Sequence, residues 1–116
     1  MAMKHVPFII CEEREATSAS TFTIKSPPIR SEGLIVIETI SVCDNDTDTK
    51  LCHIGVIRNE KALYVQSVAL TTKTYFYMIH PNLHIPSDYR IIVKIVTPTS
   101  GDKFYVNIFG HFEVYD

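Results

Sequence analysis

The chain has no tryptophan, only four glycines among 116 residues, and three cysteines, an odd number. Each shortage excludes something. With so few glycines there is no loop to cradle a phosphate on backbone amides. The only Ser-Gly pair, Ser100-Gly101, lies in a turn-forming stretch, and no G-x-S-x-G nucleophile elbow is present. Cys11, Cys43 and Cys52 show no C-x-x-C spacing. An even disulfide framework is therefore excluded, and a reducing compartment is expected. Basic clusters are missing too. Lys and Arg total 11 against 13 Asp and Glu, for a net charge of −2, and the signs are interspersed. A protein that holds nucleic acid through its phosphates needs a basic footprint, so no nucleic-acid partner is expected. No apolar run approaches the roughly 18 residues that cross a bilayer, so no membrane partner is expected. The opening "MAMKHVPFIICEEREA" has a short apolar run cut off by acids, too brief for a signal-peptide core, so secretion through a signal peptide is not expected.

What the chain does have is alternation. Lys103 to Tyr115 places Phe104, Val106, Ile108, Gly110, Phe112 and Val114 on one face, and Lys103, Asn107, His111 and Glu113 on the other. Successive strand side chains point to opposite faces, so this is a strand with one apolar side. Tyr89 to Thr97 alternates in the same way, and the Pro98–Asp102 stretch between the two has turn chemistry, which predicts a hairpin. Gly33 to Cys43 is apolar on both faces in its first half, as expected of a strand covered on both sides. Leu51 to Arg58, Ala62 to Leu70, Lys73 to Ile79, Thr21 to Lys25 and Val6 to Cys11 complete about eight short strands. His80 to Ser87, with two prolines, reads as a loop crossing between sheets. Glu12 to Ala19 reads as a loop or at most one helical turn. The length suits one domain spanning 1–116. The expected fold is all-β, an antiparallel, jelly-roll-like β-sandwich.

The octet "CDNDTDTK", Cys43 to Lys50, raises a metal question. Asp44, Asp46 and Asp48 fit the first, third and fifth positions of a calcium loop. Thr49 stands where that loop needs glycine, Gly55 where it needs a bidentate glutamate, and the flanks are β-rich rather than helical. The simpler reading is the solvated acidic tip of a hairpin between Gly33–Cys43 and Leu51–Arg58, which would also set Cys43 opposite Cys52. His80 and His84 have helical metal-ligand spacing, but Pro81 and Pro86 rule out the helix. Cys43, Cys52 and His53 lack a fourth zinc ligand, and adjacent strand residues point to opposite faces. His53 and His111 are the only strand histidines that a cupin-type site could use. No catalytic residue, no cofactor and no metal ligand is assigned, and the protein is read as non-enzymatic.

Aromatic residues are the remaining signal. Tyr75 and Tyr77 share one face, Phe76 and Met78 the other, and Tyr64, Tyr105, Phe109 and Tyr115 fall on outward positions. Outward tyrosines serve cross-strand packing, a protein interface or a sugar platform. The sugar platform makes a carbohydrate-binding module the alternative reading.

The stretch "DYRIIVKIVTPTSGDKFYVNIFGHFEV" sets an arginine-bearing strand before a Gly101-Asp102 turn and an alternating strand closing on Gly110-His111-Phe112. With the preceding "TYFYMIHPNLHIPSDYRI", it resembles small β-sandwich virion proteins of tailed phages over Tyr75 to Val114. The resemblance implies a capsid-decoration or head–tail accessory protein in the virion, assembled in the host cytoplasm. Its partners would be copies of itself and other virion proteins, and it carries over no site residues.

Overall fold

In a computed structural model that describes residues 2–115 (Tyr115 by its backbone alone), the alternating runs form nine antiparallel strands. They are β1 (Met3–Glu15), β2 (Phe22–Lys25), β3 (Leu34–Asp44), β4 (Lys50–Arg58), β5 (Lys61–Leu70), β6 (Tyr77–Ile79), β7 (Leu83–Ile85), β8 (Arg90–Val96) and β9 (Lys103–Tyr115). One sheet has the order β1-β9-β3-β6, with β7 also on β3; the other has the order β2-β8-β4-β5. The shortest dimension, 20 Å, is that of two sheets packed about 10 Å apart.

The topology is a long hairpin rolled up on itself. A two-residue turn joins β4 to β5 at Asn59 and Glu60, both with positive φ (53° and 62°), the backbone of a type I′ turn. Outward from that turn, β3 lies beside β6 and β7, β2 beside β8, and β1 beside β9. Consecutive strands otherwise change sheet at each connection, except β6 and β7, which share β3. This is the jelly-roll-like sandwich that the alternation predicts.

The inward positions are those of the apolar phase. Ile10, Ile108, Ile40 and Ile79 lie side by side across the first sheet and fill the core from β1, β9, β3 and β6. Ile24, Ile54, Val93 and Ile95 face them from the second sheet. Burying one such side chain is worth roughly 1.5–3 kcal/mol. In β3 the inward residues are Ile35 and Ile37, then Ile40 and Val42, a phase skip absorbed by a bulge between Ile37 and Thr39 that turns Glu38 outward. As expected, β3 is buried on both faces over much of its length.

Several expectations are corrected. The predicted hairpin of Tyr89–Thr97 with Lys103–Tyr115 does not exist, because β8 belongs to one sheet and β9 to the other. The same holds for β3 and β4, so "CDNDTDTK" spans the sandwich rather than capping a hairpin, and Cys43 and Cys52 lie in different sheets. Turn residues alone do not distinguish a hairpin from an arch between layers; what decides here is that β3, β8 and β9 find their partners in strands distant in sequence, and β4 takes β8 beside its hairpin partner β5. Glu12 to Glu15 continue β1, pairing with Val106 to Lys103. Lys73 to Phe76 are not strand, and Leu83–Ile85 forms a short edge strand inside the stretch read as a crossing loop. The terminal strands, at 13 residues each, are long rather than short.

Candidate functional site

The outward positions of the first sheet form a continuous surface. One row runs Ile9, Phe109, Thr39; the next Cys11, Asn107, Ser41, Met78; the next Glu13, Tyr105, Cys43. Ile9 is 63% exposed and Met78 61%, and Phe109 and Phe76 are exposed beside them. The Phe76 ring packs 6.4 Å from that of Tyr105, which extends the band past the edge of β6. The outward assignment of Tyr105 and Phe109 therefore holds, and Tyr75 and Tyr77 do share a side, their rings 4.7 Å apart. Tyr64 faces outward on the other sheet, with Lys94 Nζ over its ring at 5.8 Å. The side chain of Tyr115 lies outside the described residues.

Among the described residues, both sheets leave a long strand edge unpaired. β1 spans 13 residues with β9 on one side only, and β5 spans 10 with β4 on one side only. Every β5 residue from Lys61 to Ser67 is exposed, including Leu63 at 65%. Val65, the extra residue of a bulge opposite Ile54 and Gly55, is exposed too. Beneath Leu63 a cleft of about 390 Å³ opens between Val56, Ala62 and Tyr89.

The aspartates occupy one end of the sandwich, where four connections between the sheets meet. Asp44 Oδ1 accepts from the amides of Asp46 and Thr47. Asp46 Oδ2 accepts from the amide of Lys103 at 2.7 Å, and Asp48 Oδ1 from that of Lys73 at 2.7 Å. Asp102, on the β8–β9 connection, accepts from Thr47 Oγ1 at 2.7 Å, while its carbonyl takes the amide of Ala16. The solvated-tip reading is thus overturned for Asp44, which is 1% exposed. Its Oδ2 atom is buried and has no hydrogen-bond partner among the described residues. Burial pushes its carboxyl up to about 6; the amides of Asp46 and Thr47 oppose this and the neighbouring Asp102 carboxyl adds to it. Asp102 was not legible as a companion, since 58 residues separate it from Asp44 and only the stacking of two connections joins them.

The histidines do not form the arrangements that their spacing suggested. His53 and His111 point outward from opposite sheets, and His53 Nδ1 lies 2.6 Å from Ser67 Oγ, which removes the cupin-type cluster. His80 Nδ1 lies 3.1 Å from Thr39 Oγ1, and His84 is exposed on β7. Cys52 is in the core, Cys43 on the outward side of the other sheet, and all three cysteines are free. A cluster missed in the sequence joins His5, His111, Glu38 and Glu113. The two imidazoles stack 4.7 Å apart and nearly parallel, and His111 lies 3.2 Å from Glu113 and 3.4 Å from Glu38. A metal binds in the plane of an imidazole ring, so two stacked rings do not converge on one ion.

No helix among the described residues is long and apolar enough to cross a membrane. No family model and no curated protein matches the sequence. Among solved structures, one from Bacillus endospore appendages, described as a novel family of disulfide-linked pili, superposes with a TM-score of 0.61 at 9% identity, covering 99% of this chain and 93% of that one. Crystalline FlhE gives 0.44 at 8% identity, with 92% and 97% covered, and an infectious bursal disease virus Gt strain structure gives 0.38 at 13% identity, with 97% and 32% covered. At these identities the likeness to the appendage structure shows the fold: the chain has the two-sheet antiparallel sandwich seen in that protein.

Proposed function

We propose that the chain, as one sandwich domain, is a non-enzymatic assembly protein whose partners are other copies of itself. The observation that carries this reading is the pair of unpaired strand edges, β1 and β5, next to exposed apolar faces. An unpaired edge presents a row of amides and carbonyls that another strand satisfies, and monomeric proteins protect such edges or keep them short. Protection on β1 is partial: Pro7 removes one donor, and charges cluster only at Glu12 to Glu15. The apolar band of Ile9, Phe109, Met78 and Phe76 supplies area that a neighbouring copy would bury. A net charge of −2 puts little repulsion in the way.

That an appendage protein described as a pilus has this fold supports an assembly role. The narrower reading is a virion protein of a tailed phage, either a capsid decoration or a head–tail accessory protein. It rests on the likeness of Tyr75 to Val114 to such chains. Negative-stain electron microscopy of the concentrated protein tests the broader reading. Rings, filaments or other repeating particles are expected. Only monomer-sized particles at every concentration would overturn it.

A further inference from the structure

We propose that Asp44, Asp46 and Asp102 form a calcium site where the β3–β4 and β8–β9 connections cross. One carboxylate oxygen from each lies within 4.8 Å of the others. Oxygens bound to one calcium at about 2.4 Å stand at most about 4.8 Å apart, so a single ion can reach all three. The cluster differs from the calcium-loop pattern in the sequence, because Asp48 turns away to the amide of Lys73 and Asp102 takes its place.

A crowd of carboxylates does not by itself make a site, and the independent observation is Asp44 Oδ2. This oxygen is buried on a residue 1% exposed, while its sister Oδ1 takes both nearby amides. A buried carboxylate oxygen with no donor is costly, and a cation is one group that satisfies it. Asp102 is equally enclosed, at 2% exposed. Among the described residues no Lys, Arg or His makes an ion pair with any of the three. The ligands are all hard oxygens, which excludes soft metals. Magnesium keeps several waters and a strict octahedron, whereas two walls of this site are buried protein, so the geometry favours calcium. An ion here would tie the connections of both sheets together, with Ala16 held to the Asp102 backbone as a third.

Calorimetric titration of calcium chloride into chelator-stripped protein at neutral pH tests this. One equivalent is expected, with a Kd of about 10⁻⁶–10⁻⁴ M. A rise in Tm of roughly 8–15 °C should follow at about a hundredfold excess of calcium over Kd. Asp46→Asn, at an exposed position, should weaken binding at least about tenfold, and Asp48→Asn should leave it unchanged. Absence of both heat and a Tm shift in the unmodified protein would overturn the proposal and assign the pair of buried carboxyls to a shared proton. Equal loss from Asp46→Asn and Asp48→Asn would mean diffuse surface binding, and equally tight magnesium binding would refute the choice of calcium. None of these outcomes depends on whether the chain assembles.

Discussion

Gly110 sits at an inward position of β9, and a Cβ built on it would stand 2.2 Å from the Val36 carbonyl and 2.9 Å from the Phe8 ring. The carbonyl is backbone of β3 and cannot swing aside, while the Phe8 ring is held by stacking on Phe112 at 4.6 Å. Gly110→Ala should therefore destabilise the protein by about 2–4 kcal/mol, read as a lower urea midpoint with an unchanged slope. The opposite sign is expected at Thr49, an exposed β-branched residue at φ 60°. Thr49→Gly relieves left-handed strain and should be neutral or stabilising by up to about 1 kcal/mol. The thiols give a third check. Burial pushes Cys52 up to about 12, and Cys43 is also raised by burial and by Asp44. One fast-reacting thiol per native chain, Cys11, is expected with a disulfide reagent at neutral pH, the other two reacting only on unfolding. At this scale the sequence is legible where a residue's role is set by its neighbours along the strand, as for Ile108 and Phe109. It is silent where a role is set across the sandwich, as for Gly110 against Val36 or Asp44 against Asp102.

Among the elements, strand β9 and the inward phase of β3 are readable because a two-residue period survives in the sequence. The pairing of strands is not. Pro98 to Asp102 and Asp44 to Thr49 carry the same turn chemistry as a hairpin loop, yet each bridges two sheets. The Asn59-Glu60 turn, which is a true hairpin, has neither glycine nor a sequence more turn-like than theirs. The short strands β6 and β7 escape notice for a related reason: three residues each are too few to show a period. At the opposite end of β9 from the aspartates, His111 lies between Glu113 and Glu38, with His5 stacked on it. Its hydrogen bond to Glu113 raises its pKa against the opposing effect of burial, and Glu38 adds to the rise. A folded pKa above the unfolded value of about 6.5 means that the protonated ring contributes stability below that value, and that this contribution is lost as pH rises through the folded pKa. An NMR titration of His111 should give a pKa above 6.5, and Glu113→Gln should lower it; a midpoint at or below about 6.5 in the unmodified protein would contradict the ion-pair geometry.

For the whole molecule, the unpaired edges and the apolar outer face ask more of the surroundings than water supplies. The 51 Å long axis is the direction in which 13-residue strands run, each spanning about 43 Å, so β1 offers nearly the full length of the molecule to a neighbour. Alternation in the sequence already marks Phe109 and Tyr105 as outward. It does not show that Ile9 and Met78 join them, because that depends on β1 and β6 flanking the β9–β3 pair. The molar mass measured by light scattering across a wide concentration range tests the assembly claim most directly. A mass that rises above the 13.2 kDa monomer with concentration is expected, with a return to monomer when Ile9→Lys and Phe109→Lys are combined. A mass of one chain at every concentration in the unmodified protein would contradict it.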